Sequence, residues 1–189
     1  MTYDRLADHP VVAGRRIVPG EGCAYRPALA LIGEAPGSEE EKAGRPFVGK
    51  AGKNLDGFLA ALALRREEIW ITNVVKVRPS KTSEKGTVSN RPPNRAEKEL
   101  FTPLLLAELR EVQPRLLVTL GNTALQALMG RDALIGVYHG QSVACPALGL
   151  PLFALYHPAS IIYNRSLQAV YEADLDALRE VLARMDESA

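Results

Sequence analysis

The feature that most narrows the folds open to this chain is a repeated switch of hydrophobic period. Short apolar runs of strand length, each followed by a glycine- or proline-bearing loop, alternate with longer stretches of helical spacing. Ala28–Ile32, closed by Gly33, leads to the helix-like Leu55–Leu64. Trp70–Val75 leads to the helix-like Arg95–Val112 past a polar segment, Ser80–Asn94, with Pro79, Pro92 and Pro93 in or beside it. Arg115–Leu120 leads through Gly121, Asn122 and Thr123 to Ala124–Met129, and Leu152–Leu155 leads through Tyr156, His157 and Pro158 to an amphipathic Leu167–Met185. Strands that alternate with helices imply parallel crossover connections. The expectation is an α/β fold, a three-layer α/β/α sandwich around a central, mainly parallel four-stranded sheet, with Ser80–Asn94 as a mobile loop.

In such a sheet the ligand crevice lies outside the carboxyl ends of the strands. The segments after Ile32, Ile71, Leu120 and Leu155 are therefore expected to converge, and they carry Glu34, Asn73, Gly121–Thr123 and His157. Taken singly, a Glu after a strand is ordinarily a solvated loop residue, an Asn a turn cap and a Phe part of the core. His9 and His139 are rivals to His157, and Glu39, Glu40 and Glu41 read equally as a solvated charge run. Only their co-occurrence at four strand ends points to a site.

With 189 residues and a 47% hydrophobic share, the chain is expected to form a single domain over residues 1–189. Lys and Arg number 23 against 22 Asp and Glu, so a net charge of +1 gives no global pull toward polyanions. Any nucleic-acid site must be a local patch. Two cysteines, Cys23 and Cys145, form neither a disulfide framework nor a CxxC metal signature. The first residues lack a basic stretch followed by a long apolar run, and no segment approaches the roughly 20 apolar residues of a membrane span. These features lead to the expectation of a soluble, cytoplasmic monomer with no membrane partner.

The first loop, from Gly33 to Gly52, reads GEAPGSEEEKAGRPFVGKAG and closely resembles the GEAPG…GRPFVGxAG motif of family 4 uracil-DNA glycosylases. The resemblance continues in Thr72-Asn73-Val74-Val75-Lys76-Val77-Arg78-Pro79, in Leu120-Gly121-Asn122-Thr123-Ala124 and in Tyr156-His157-Pro158-Ala159, and spans residues 28 to 165. It implies a monofunctional enzyme that hydrolyses the N-glycosidic bond of uracil in double- or single-stranded DNA, the first step of base excision repair. It also implies that Glu34 and Glu40 lie beside the sugar, Phe47 under the flipped base, Asn73 on its edge and His157 at its 2-carbonyl oxygen, with Gly33 and Ala35 lining the uracil site. These roles make physical sense. Cleavage builds positive charge on the sugar and negative charge on the departing base, which a carboxylate and a hydrogen-bond donor respectively stabilise. An amide reads the 4-carbonyl and imide N–H of uracil, which cytosine does not present. An aromatic platform recovers part of the roughly few kcal/mol that unstacking costs.

For holding DNA, Ile161 and Ile162 form an apolar wedge followed by Arg165, in the place where the superfamily inserts side chains into the minor groove. Lys50, Lys53, Lys76, Arg78, Arg91 and Arg95, with the amides of Gly121, Asn122 and Thr123, are candidate phosphate contacts whose binding should weaken steeply with salt.

The chain departs from family 4 where those enzymes hold a four-iron cluster on four cysteines. Two of the family's cysteines lie near the N-terminus, one after the asparagine and one at the start of the next helix; here the last two positions are Val77 and Phe101. With Cys23 and Cys145 alone, no cluster, metal or other cofactor is expected. Some relatives become trapped on the abasic sugar through a histidine in the insertion after the asparagine strand, and Ser80–Asn94 contains none. Turnover by water is expected. Three other readings compete. Gly44–Ala51 matches the GxxxxGK of a phosphate-binding loop, but Ala51 replaces the magnesium-binding Ser or Thr. A glycosylase for another deaminated base such as hypoxanthine and a catalytically silent DNA-lesion binder both keep the same fold.

Overall fold

Leu29 and Leu31 enter a core with Leu55, Phe58 and Leu59, while Ala30 and Ile32 enter another with Phe101, Leu105 and Leu125. Successive side chains of a strand point to opposite faces, so a run apolar at every position is a strand covered on both sides. The computed structural model describes residues 3–6 and 8–187, the side chains of residues 4, 5 and 161–163 excepted. Its elements are β1 (Glu21–Gly22), β2 (Ala30–Gly33), α1 (Ser38–Ala43), α2 (Lys50–Ala61), β3 (Trp70–Asn73), β4 (Ser80–Thr82), β5 (Val88–Asn90), α3 (Arg95–Val112), β6 (Leu117–Leu120), α4 (Gly121–Met129), α5 (Ile135–Tyr138), β7 (Ser142–Ala144), β8 (Pro151–Leu155), α6 (Pro158–Tyr163) and α7 (Gln168–Glu187).

The main sheet runs β1-β3-β2-β6-β8-β7. Its four inner strands are parallel, with Leu31 opposite Ile71 and Val118, and Val118 opposite Phe153. Helices α2 and α7 cover one face; α3 and α4 cover the other. The expected three layers and parallel centre are present, but the sheet has six strands rather than four. Two short antiparallel edges, β1 on β3 and β7 on β8, complete it. Glu21–Gly22 and Ser142–Ala144 are too short to show a period of two. Ser80–Asn94, expected as a mobile loop, instead contains the antiparallel β4–β5 hairpin, in which Lys81 pairs with Ser89 and Thr82 with Val88.

Chain direction reverses beside β2. From β2 the chain crosses to β3 on one side, then returns over β2 to β6 on the other. A switch point of this kind leaves a crevice between the carboxyl ends of β2 and β6, where the loops diverge. Glu34 follows β2 there, and Gly121–Thr123 follow β6.

Candidate active site

The parallel ladder continues past the strand ends. Val74 N–H donates to Gly33 C=O (2.9 Å) and Val75 N–H to Glu34 C=O (3.0 Å), which fixes Glu34 and Asn73 on adjacent chains. Asn73 is 3% exposed, and its amide takes no hydrogen bond among the described residues. Gly33 is where the Asn73 amide and the Phe47 ring close on the backbone: a Cβ there would lie 2.4 Å from Asn73 Oδ1 and 2.5 Å from Phe47 Cζ. Phe47 itself has φ +52°, a conformation that L residues rarely take. It is held by Arg66, whose Nη2 donates to Phe47 C=O (2.7 Å), and by the missing side chain at Gly52, whose Cβ would lie 1.9 Å from that same oxygen.

These groups surround two adjoining cavities. The first, about 400 Å³, is lined by Phe47, Asn73, Glu40, Lys50, Ala35 and His157. The second, about 460 Å³, is lined by Glu34, Gly121, Asn122, Thr123, Tyr156 and again His157. Ala35, Gly37, Asn90, His157 and Ala159 form the seam between them. Glu34 is half-buried and its Oε2 accepts the Thr123 hydroxyl at 2.5 Å, which ties the β2 loop to the start of α4. His157 caps α6: its Nδ1 accepts from Ala159 N–H (3.2 Å), so in the neutral ring the proton sits on Nε2. Burial holds the imidazole below its ordinary 6.5, outweighing the upward pull of Glu34, and the ring is neutral at pH 7. Gly121, at φ +80°, leaves room for it, since a Cβ there would lie 3.2 Å from His157 Cβ.

Other expected site residues have different tasks. Glu40, expected beside the sugar, commits its carboxylate to the backbone: Oε1 accepts from Val48 N–H (3.1 Å) and Gly49 N–H (2.7 Å), and Oε2 from Gly37 N–H (3.0 Å). It holds the first loop closed around the Phe47 cavity. Two amides of the Gly44–Ala51 segment, those of Val48 and Gly49, are thereby taken by a carboxylate, which counts against the phosphate-loop alternative. Lys76, placed by sequence among the phosphate cations, is fully buried with Nζ 2.6 Å from Glu108 and 2.5 Å from Thr72 Oγ1. Its charge was legible in the sequence; the inward direction of its side chain was not. Arg78 is 12% exposed and donates to Asn90 Oδ1 (2.7 Å) and Glu41 (3.2 Å), so it braces the hairpin. Arg91 is bidentate to buried Glu97 at 2.7 Å, and Arg95 pairs with Glu99 at 2.6 Å. Lys50, Lys53 and Arg165 are exposed. Ile161 and Ile162 lie on α6, but their side chains fall outside the described residues. Sequence reasoning missed Asn90 and Tyr156 as lining residues. The signal for Asn90 was the Lys85-Gly86 turn between Thr82 and Val88, which marks a hairpin that returns to the strand end.

A family model described as the Uracil DNA glycosylase superfamily matches residues 19–183. The chain belongs to that superfamily. Among its relatives, the type-4 uracil-DNA glycosylase of Pyrobaculum aerophilum is 38% identical over 167 residues, covering 85% of this chain and 81% of that protein. That of Thermotoga maritima is 33% identical over 171 residues, covering 89% and 84%. Among solved structures, SMUG2 of Pedobacter heparinus superposes with a TM-score of 0.57 at 13% identity over 86% of this chain and 77% of its own, a likeness of fold.

This superfamily member does not provide the four thiolates of an iron–sulfur cluster. Val77 and Phe101 are both 0% exposed and pack with Val12, Leu105 and Leu109 in one core. Cys23 Sγ lies near Tyr25 C=O (3.4 Å), and buried Cys145 Sγ near Leu128 C=O (3.7 Å). Among the described residues no group of three or more His, Cys, Asp or Glu is arranged to hold a metal ion. No described helix is long and apolar enough to cross a membrane.

Proposed function

We propose that this chain is a monofunctional uracil-DNA glycosylase, working as a single-domain monomer on DNA without an iron–sulfur cluster. The observation that carries the reading is the seam at His157, where a cavity with an aromatic floor and an unpaired amide meets one with a carboxylate and a helix N-terminus. A flipped uracil fits the first cavity and its deoxyribose and phosphate the second, which puts the N-glycosidic bond at the seam. The Phe47 ring stacks under the base. Asn73 offers donor and acceptor to its 4-carbonyl and imide N–H. His157 Nε2–H faces the 2-carbonyl oxygen, where charge collects as the glycosidic electron pair leaves with the base. Glu34, oriented by Thr123, stabilises the positive charge on the sugar while water attacks C1′, and free uracil and an abasic strand result. The type-4 relatives are named for this reaction.

The test is a labelled strand with one uracil, incubated with the protein and then cleaved at abasic sites by alkali. Wild type is expected to cut the uracil strand, and Glu34→Gln or His157→Ala to lower the rate by ~10²-fold or more, as for removal of an electrostatic interaction made in the transition state. Asn73→Ala is expected to relax discrimination against cytosine. Cleavage of a hypoxanthine strand alone would overturn the substrate, and binding without cleavage of any strand would overturn the enzyme.

A further inference from the structure

On the far side of Thr123 from Glu34, a groove of about 540 Å³ runs between α3 and α4, lined among others by Arg95, Lys98, Gln126 and Arg131. Two of its three cations are paired with its one carboxylate, Glu99, which lies 2.6 Å from Arg95 and 3.6 Å from Arg131. Lys98 is half-buried and has no hydrogen-bond or ion-pair partner among the described residues. A lysine that gives up hydration without gaining a counter-charge is poised for an anion. The groove also joins the active site, because Thr123 lines both it and the Glu34 cavity. No side chain caps the first turn of nine-residue α4, so its leading amides remain available to an anion at that junction.

We propose that this groove is a phosphodiester subsite that takes the DNA strand onward from the flipped nucleotide, with Lys98 and Arg131 on its phosphates. The inference rests on the glycosylase reading for the identity of the polymer. The occupant is a DNA strand because the groove carries three cations against one carboxylate and shares Thr123 with the cavity assigned to the sugar, from which a continuous backbone must lead on. Among the cations assigned by sequence to phosphate, only Arg95 reaches this groove; Lys98 and Arg131 belong to none of the four loops.

The test compares wild type with the Lys98→Gln/Arg131→Gln double variant, two replacements outside both active-site cavities. Uracil release is measured on a long strand and on a uracil-containing trinucleotide, and anisotropy follows binding of a long uracil-free strand across a salt series. The expected result is a drop of about tenfold in kcat/KM on the long strand alone. The slope of log affinity against log salt should become shallower by about 1 for each phosphate that is no longer neutralised. Equal rates and an unchanged salt slope would overturn the proposal, as would equal drops on both substrate lengths. If wild type releases no uracil from any strand, the glycosylase reading fails, and the anisotropy slope still decides the groove.

Discussion

Gly33 carries no side chain because Asn73 and Phe47 occupy the space one would need. Gly33→Ala is expected to push the ring and the amide apart, with an overpacking cost of about 1–3 kcal/mol in urea unfolding and a larger fractional loss of uracil release than of stability. His157 makes the site sensitive to acid. Its folded pKa lies below its ordinary 6.5, so the unfolded chain takes up the proton first. Its contribution to stability is present above pH 6.5 and lost as pH falls through the lowered folded value. Protonation of Nδ1 also removes the acceptor of Ala159 N–H. The thermal midpoint of wild type should therefore drop between about pH 7 and pH 5 more than that of His157→Gln, measured by circular dichroism. The placement of Glu34, Asn73 and His157 at or beside strand ends was legible from the apolar runs, while their roles came from the family resemblance. The occupation of Glu40, Arg78 and Lys76 was not, since charge and loop position say nothing about which backbone amide or buried partner a long side chain finds.

At the level of elements, α3 and the base of the hairpin meet on one residue. Glu97, 1% exposed, accepts from Arg15 (2.6 Å), from both arms of Arg91 (2.7 Å each) and from Asn94 N–H (2.8 Å), closing a capping box with Asn94. Burial pushes its carboxyl up, but Arg91, the Asn94 amide and Arg15 together outweigh that and bring it down to about 2. Because the folded value is depressed, this stabilisation is present above the ordinary 4.5 and disappears as pH falls through about 2. Glu97→Gln should cost about 3 kcal/mol at pH 7, read from chemical denaturation, and the difference from wild type should shrink toward about pH 2. The four inner strands could be read from apolar runs because both faces are covered. β1, β7 and the hairpin could not, since strands of two or three residues are specified by the neighbour they pair with, and no periodic pattern records that.

For the molecule as a whole, Val77 and Phe101 lie in a core of buried apolar side chains that also holds Cys145. Purified protein is expected to show no visible iron–sulfur absorbance and to keep its thermal midpoint and its activity after exhaustive chelation. A fall in either would mean that a bound metal supports the fold. The hairpin is built so that one part of the surface is independent of this core. Its base is clamped by Arg78 to Asn90 and by Arg91 to Glu97, whereas beyond the strands its tip bonds to itself, Thr87 N–H to Ser83 Oγ and Gly86 N–H to Ser83 C=O. Residues 83–87 are thus a replaceable cassette on a rigid socket. Loops of other lengths and chemistries can be exchanged there by evolution or by grafting while Asn90 stays at the seam between the two cavities.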